Sequence, residues 1–268
     1  MRIFNLILRL LFAFLFLSSI VGYAQAAEIT ENLEIKNIFE EARVNGTFVL
    51  LDVEKGTLTG FNGKRANDRF IPASTFKIAN SLIGLAVGAV KDVDEILPYG
   101  GGPQFLEIWE KDMSLRDAIK ISNVPIYQEL ARRIGLQKMQ KNVKKLNYGN
   151  QDIGAFVDQF WLSGPLEISA VEQVQFLSKL ARAELNFPKK DQKSVIEILE
   201  LETTDETTLY GKTGWQTATD PGIGWWVGWV KRSGKIYTFA LNIDMVDIAD
   251  APKRIEIGKK VLNLLKIL

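Results

Sequence analysis

Strand-forming segments lie at both ends of this chain and helix-forming segments fill its middle, so any sheet must bring the two ends together. Thr47–Asp52 is rich in strand formers, and Leu58–Phe61 follows the turn Glu54-Lys55-Gly56, a pair that reads as a hairpin. From about Ser74 to Leu199 apolar residues recur at helical spacing. Ser114-Leu-Arg-Asp117 has the form of a capping box with Asp in place of Glu, and Ser169-Ala-Val-Glu172 is a fuller one opening a helix over Val171–Ala183. Strand texture returns at Thr207–Lys212, Gly224–Val230 and Ile236–Asp244, the last two joined by the turn Arg232-Ser233-Gly234-Lys235. Pro252–Leu265 closes the chain as a helix with Pro near its first turn. The expected fold class is α/β of the α+β type: a central antiparallel sheet flanked by helices, interrupted by an all-helical insertion. Residues 27–78 and 200–268 would form the sheet-containing lobe, and 79–199 the mostly helical one.

The first 26 residues read as a cleaved signal peptide. Arg2 and Arg9 precede an apolar run from Leu10 to Leu17, then small residues and Ala24-Gln25-Ala26. A single membrane anchor is the alternative, but a spanning helix needs about 20 apolar residues and Arg9 leaves the run short. Cleavage after Ala26 would deliver a periplasmic chain with no membrane attachment. The net charge of +1 would fall to −1 with Arg2 and Arg9 removed, so nothing argues for a nucleic-acid partner. Lacking cysteine, an exported chain has no disulfides and must draw its stability from its core.

Histidine is absent as well. A Ser-His-Asp triad, a cysteine nucleophile and a His/Cys zinc site are thereby excluded, and no metal is expected. An enzyme built on this sequence must take its base from Lys, Asp, Glu or Tyr.

Ser74-Thr-Phe-Lys77 opens an apolar helix and places a hydroxyl and an amine three residues apart, on one helical face. A serine hydroxyl is a poor nucleophile without an adjacent base. Lysine can be that base only if desolvation or modification removes its positive charge. Backbone N–H groups at the helix start could hold a developing oxyanion. Lys212-Thr213-Gly214, followed by Trp215, sits at the end of an expected strand, where a cation and a hydroxyl can bind a carboxylate while the strand edge pairs with an amide. Each segment alone has an ordinary alternative: a capped helix with a solvated Lys, or an edge-strand Lys. The pairing of Ser-x-x-Lys with a later Lys-Thr-Gly is a pattern of β-lactamases and penicillin-binding proteins, and Ser122-Asn-Val124 stands between them here.

The chain closely resembles the class D serine β-lactamases. The resemblance rests on Ser74-Thr-Phe-Lys77, Ser122-Asn-Val124, Tyr148-Gly-Asn150, Phe160-Trp-Leu-Ser-Gly-Pro-Leu166, Lys212-Thr-Gly214 and Gly224-Trp-Trp-Val-Gly-Trp229, with Arg254 near the C-terminus. It implies a serine β-lactamase or transpeptidase-like fold, a small-molecule β-lactam substrate, and a monomer or homodimer. It also implies residue roles. Ser74 would be the acylated nucleophile and Lys77 the general base, carbamylated by carbon dioxide or bicarbonate with no other cofactor. Trp161 would donate its indole N–H to the carbamate, Ser122 would relay a proton to the leaving nitrogen, and Val124 and Leu162 would form an apolar lid. Lys212, Thr213 and Arg254 would hold the substrate carboxylate. Gly214 and Trp215 continue that binding strand, the N–H groups of Ser74 and Trp215 forming the oxyanion hole, and Tyr148 would border the site. Plain core packing is the alternative for Trp161 and a structural role that for Tyr148. A penicillin-binding protein and a β-lactam sensor domain are the rival functions.

Overall fold

The computed structural model describes residues 28–268, so the expected signal segment lies outside the described residues. In chain order the elements begin β1 (Thr30–Glu31), α1 (Leu33–Ala42), β2 (Gly46–Asp52), β3 (Thr57–Phe61), α2 (Gly63–Asn67) and β4 (Arg69–Phe70). A central helical stretch follows, with α3 (Lys77–Ala86), α4 (Leu115–Lys120), α5 (Val124–Ile134) and α6 (Leu136–Leu146), then β5 (Ile168–Ser169), α7 (Ala170–Ala181) and α8 (Lys189–Ile198). The chain ends with β6 (Glu200–Thr203), β7 (Thr207–Gln216), β8 (Gly222–Arg232), β9 (Lys235–Met245) and α9 (Lys253–Leu264).

The main sheet has seven strands in the order β1-β3-β2-β9-β8-β7-β6. Both ends of the chain feed it, since β2 pairs with β9 from Gly46↔Ile243 to Asp52↔Tyr237. The sheet is antiparallel as expected, with one parallel addition at its edge: β1 lies parallel to β3. β1 is only two residues long, too short to leave a periodic signal. α1 and β6 were not foreseen either; β6 is exposed along its whole length and carries no burial alternation.

Side-chain alternation sends successive residues of each strand to opposite faces. Phe48, Leu50, Trp226, Phe239, Leu241 and Ile243 meet Ile35 and Phe39 of α1 and Ile257, Val261 and Leu262 of α9. Val49, Trp225, Val227, Trp229 and Ala240 face the other way, into the core shared with the central helices. Gly258 in α9 leaves room for the Trp226 ring, which any β-carbon there would strike.

The helical middle is six helices rather than a continuous block, and the residues between α3 and α4 include the run Gly100-Gly101-Gly102, all at positive φ. The capping box at Ser169 and Glu172 forms with both reciprocal hydrogen bonds. The helix it opens lies against β2, β8 and β9, and Thr238 Oγ1 donates to Val174 O at 3.0 Å. α7 therefore covers the sheet, although it comes from the segment expected to form the helical lobe.

Candidate active site

Ser74 sits in a 3-10 turn, Ala73–Phe76, that runs directly into α3; the expected α-helix starts three residues later, at Lys77. Ala73 holds a left-handed φ of 48°, a conformation that costs an alanine about 1–2 kcal/mol and persists only where its surroundings fix it. Those surroundings are visible. Trp225 Nε1 donates to Ile71 O at 3.0 Å, and both the backbone N–H and the hydroxyl of Thr75 donate to Pro72 O, at 3.2 and 2.7 Å.

The turn buries Lys77 completely and leaves Ser74 8% exposed. Lys77 Nζ donates to Ser74 Oγ at 2.7 Å. Among the described residues no carboxylate pairs with this lysine, and the Tyr127 ring lies 5.3 Å from its Nζ. Burial first, and then the charge of Lys212, hold its pKa well below the ordinary lysine value. Phe76, between Ser74 and Lys77 in the chain, stacks on Trp161 with ring centroids 5.6 Å apart. Trp161 is fully buried, and its Nε1 is a donor with no acceptor among the described residues.

Ser122 lies in the short link between α4 and α5 with φ of 58°. Its position is set by its neighbours: Asn123 caps α5 by accepting from Ile126 N, and Trp109 Nε1 donates to Ile121 O at 3.1 Å. Lys212 Nζ reaches across from β7 and donates to Ser122 Oγ at 3.0 Å and to Thr213 O at 2.9 Å. Lys212-Thr213-Gly214 is interior to β7, a correction to the expected strand end, because pairing with β8 continues to Gln216↔Ile223. The β6 pairing stops at Tyr210, so the edge from Lys212 onward is free of a strand neighbour. The Ser74 turn packs against that edge: a β-carbon on Gly214 would stand 3.0 Å from Pro72 O and 3.3 Å from Ser74 N.

Arg254 in α9 turns toward the same edge, its Nη1 donating to Gly214 O at 2.6 Å and its Nε to Ala251 O at 2.8 Å. Burial pulls its pKa down to about 10. Lys212 is lowered to about 7, by burial first and by the Arg254 charge second. Lys77, Lys212 and Arg254 thus bring three basic groups together, and among the described residues no carboxylate pairs with any of them, an arrangement suited to an anion.

Val124 and Leu162 are half-buried, as are Thr213 and Trp215. Tyr148 is a different case. Expected at the border of the site, it is 1% exposed, and its ring packs edge-on against Phe76 and Phe176 with its hydroxyl accepting from Gln173 at 3.3 Å. It packs behind the Ser74 turn, on the side of α7. The sequence reading passed over Thr75, Gln173 and Trp225, whose bonds fix that turn. The one available signal was polarity in an apolar setting: Gln173 lies among Val171, Val174 and Leu177 on the buried side of its helix.

Residues 46–263 match the penicillin binding protein transpeptidase domain family. The chain is 41% identical over 253 residues to β-lactamase OXA-5 of Pseudomonas aeruginosa, covering 93% of this chain and 95% of that protein. It is also 41% identical over 252 residues to β-lactamase OXA-48 of Klebsiella pneumoniae, covering 94% and 95%. Among solved structures, the class D β-lactamase FUS-1 (OXA-85) of Fusobacterium nucleatum subsp. polymorphum superposes with a TM-score of 0.87 at 47% identity, over 89% of this chain and all of that one.

Proposed function

Because the chain belongs to the class D β-lactamases, within the penicillin-binding transpeptidase family, we propose that it hydrolyses the amide bond of β-lactam antibiotics through an acyl-enzyme on Ser74. The observation that carries this reading is the buried contact of Lys77 Nζ with Ser74 Oγ at 2.7 Å in a chain without histidine. A protonated Lys77 cannot take the serine proton. Its surroundings favour the neutral amine, the form that adds carbon dioxide and loses a proton to become a carbamate. The unpaired indole N–H of Trp161 supports the fit, since a buried anion needs a donor and this donor needs an acceptor. Once modified, Lys77 would carry an anionic oxygen able to accept a proton.

The remaining steps belong to the chain's own groups. Ser74 Oγ bonds to the lactam carbonyl carbon as its proton leaves toward Lys77, and the oxyanion sits between the N–H groups of Ser74 and Trp215. The C–N bond breaks and the nitrogen takes a proton through Ser122, which Lys212 holds by its hydrogen bond. Lys212, Thr213 and Arg254 retain the substrate carboxylate on the free edge of β7, with Val124 and Leu162 as apolar cover. Water, deprotonated toward Lys77, then cleaves the ester and returns the proton to Ser74. Export to the periplasm after loss of residues 1–26, and action there as a monomer or homodimer, complete the reading; among the described residues no helix is long and apolar enough to cross a membrane.

Steady-state hydrolysis of a chromogenic cephalosporin tests the proposal. Continuous turnover is expected. A single burst that stops with the protein acylated would instead mark a penicillin-binding protein or a drug sensor.

A further inference from the structure

We infer that Gln173 is a positioning residue for the nucleophile: through Thr75 and Pro72 it locks the strained turn that presents Ser74, and Tyr148 belongs to the same buried cluster. The inference rests on the β-lactamase reading above. Gln173 is fully buried on α7, and its Nε2 donates to Thr75 Oγ1 at 2.9 Å and to the Tyr148 hydroxyl at 3.3 Å. The Thr75 hydroxyl donates onward to Pro72 O at 2.7 Å. That carbonyl immediately precedes Ala73, the left-handed residue, and faces Gly214 of the substrate-binding edge. One short chain of hydrogen bonds therefore runs from the sheet-covering helix to the backbone that sets both Ser74 Oγ and Ser74 N–H.

The orientation of the amide is informative. Gln173 Oε1 is buried with no hydrogen-bond partner among the described residues, which is unfavourable for the fold. Turning the amide over would place that oxygen against Thr75 Oγ1, whose proton is already committed to Pro72 O; the bond to Thr75 would be lost and only the Tyr148 hydroxyl could then donate to the oxygen. Gln173 thus leaves one polar atom unpaired while delivering a donor to the turn. A residue selected for packing alone would be apolar here, like Val174 and Leu177 beside it. A stability defect kept at a position that steers the reactive group is the pattern expected of a functional device.

Gln173→Met and Thr75→Val remove the donor and the relay while keeping shape. In pre-steady-state acylation by a penicillin, each should slow acylation by about 10²-fold, the loss that displacement of a reacting group by about 1 Å brings. The melting temperature of Gln173→Met should change far less than the rate, because loss of the unpaired oxygen offsets part of the two hydrogen bonds removed. The carbon-13 carbamate signal of Lys77 should persist, and added bicarbonate should not restore the rate. Thr75→Ser, which keeps the hydroxyl, should acylate far faster than Thr75→Val, and the double variant should be no slower than the worse single one. Gln173→Met that acylates at the unmodified rate overturns the inference. If that variant fails to fold, equal rates for Thr75→Ser and Thr75→Val overturn it instead. An unmodified chain that neither labels with penicillin nor turns over defeats the functional reading as well, a result distinguishable from either.

Discussion

Lys77 and Ser74 touch through Nζ and Oγ at 2.7 Å, with the lysine wholly buried and the serine open to solvent by 8% of its surface. Every other feature of the site bears on that contact. The 3-10 turn carries the serine, Phe76 within it stacks on the Trp161 ring, and Lys212 donates to Ser122.

Ser74→Ala should abolish both turnover and covalent labelling, because among the described residues Ser74 holds the hydroxyl that accepts from the Lys77 amine, on the turn packed at the β7 edge. Intact-mass spectrometry after incubation with penicillin reads this directly. A penicillin adduct on the variant would remove Ser74 from its role.

Trp161→Ala takes away the unpaired indole N–H and the ring that packs on Phe76, the residue before Lys77. Acylation should survive in part while deacylation slows, and bicarbonate should partly restore the rate. Turnover equal to that of the unmodified protein, with no response to bicarbonate, would reduce Trp161 to core packing.

Gly214→Ala would push a methyl group to 3.0 Å from Pro72 O and 3.3 Å from Ser74 N, tighter than ordinary contact. The Ser74 turn must give by a few tenths of an ångström, so acylation should slow, by less than the roughly 10²-fold that a displacement of about 1 Å brings. The folded state, read by melting temperature, should change far less than the rate.

The pKa of Lys212, about 7, gives the site a pH dependence whose sign is fixed. Below that value the ammonium is present to hold a substrate carboxylate; above it the charge is lost. kcat/KM for penicillins should therefore fall as pH rises through about 7. Arg254→Ala removes a repelling cation, so the Lys212 pKa and the alkaline limb should move upward. Carboxylate binding in that variant should weaken by about 1–3 kcal/mol, the worth of a hydrogen bond to a charged group. An unmoved limb with unchanged kcat/KM would take Arg254 out of the site.

The candidate site was more legible in the sequence than the frame that positions it. Ser74, Lys77, Ser122 and Lys212 are marked by type and spacing, and the structure joins them in two contacts, Lys77 with Ser74 and Lys212 with Ser122. The hairpin of β2 and β3, the three C-terminal strands and α9 announce themselves through alternation or helical period. Short elements do not: β1 and β6 draw their existence from neighbours, and β1 runs parallel for reasons of tertiary pairing. Tyr148 looked like a site residue because it belongs to a motif, yet burial sets it behind the turn. Gln173 escaped notice because its role depends on a hydrogen bond spanning 98 residues of sequence, which no local pattern encodes.

The central claim is that Lys77 works as a modified base, and one titration tests it. Enzyme labelled with carbon-13 bicarbonate is followed by NMR for the Lys77 carbamate while cephalosporin turnover is measured on the same sample, first degassed at mildly acidic pH and then with bicarbonate returned at fixed pH. Acid protonates the amine and drains the carbamate, so the signal and the rate should fall together and recover together, with Lys77→Ala showing neither. Full turnover in a sample whose carbamate signal is absent would contradict the account.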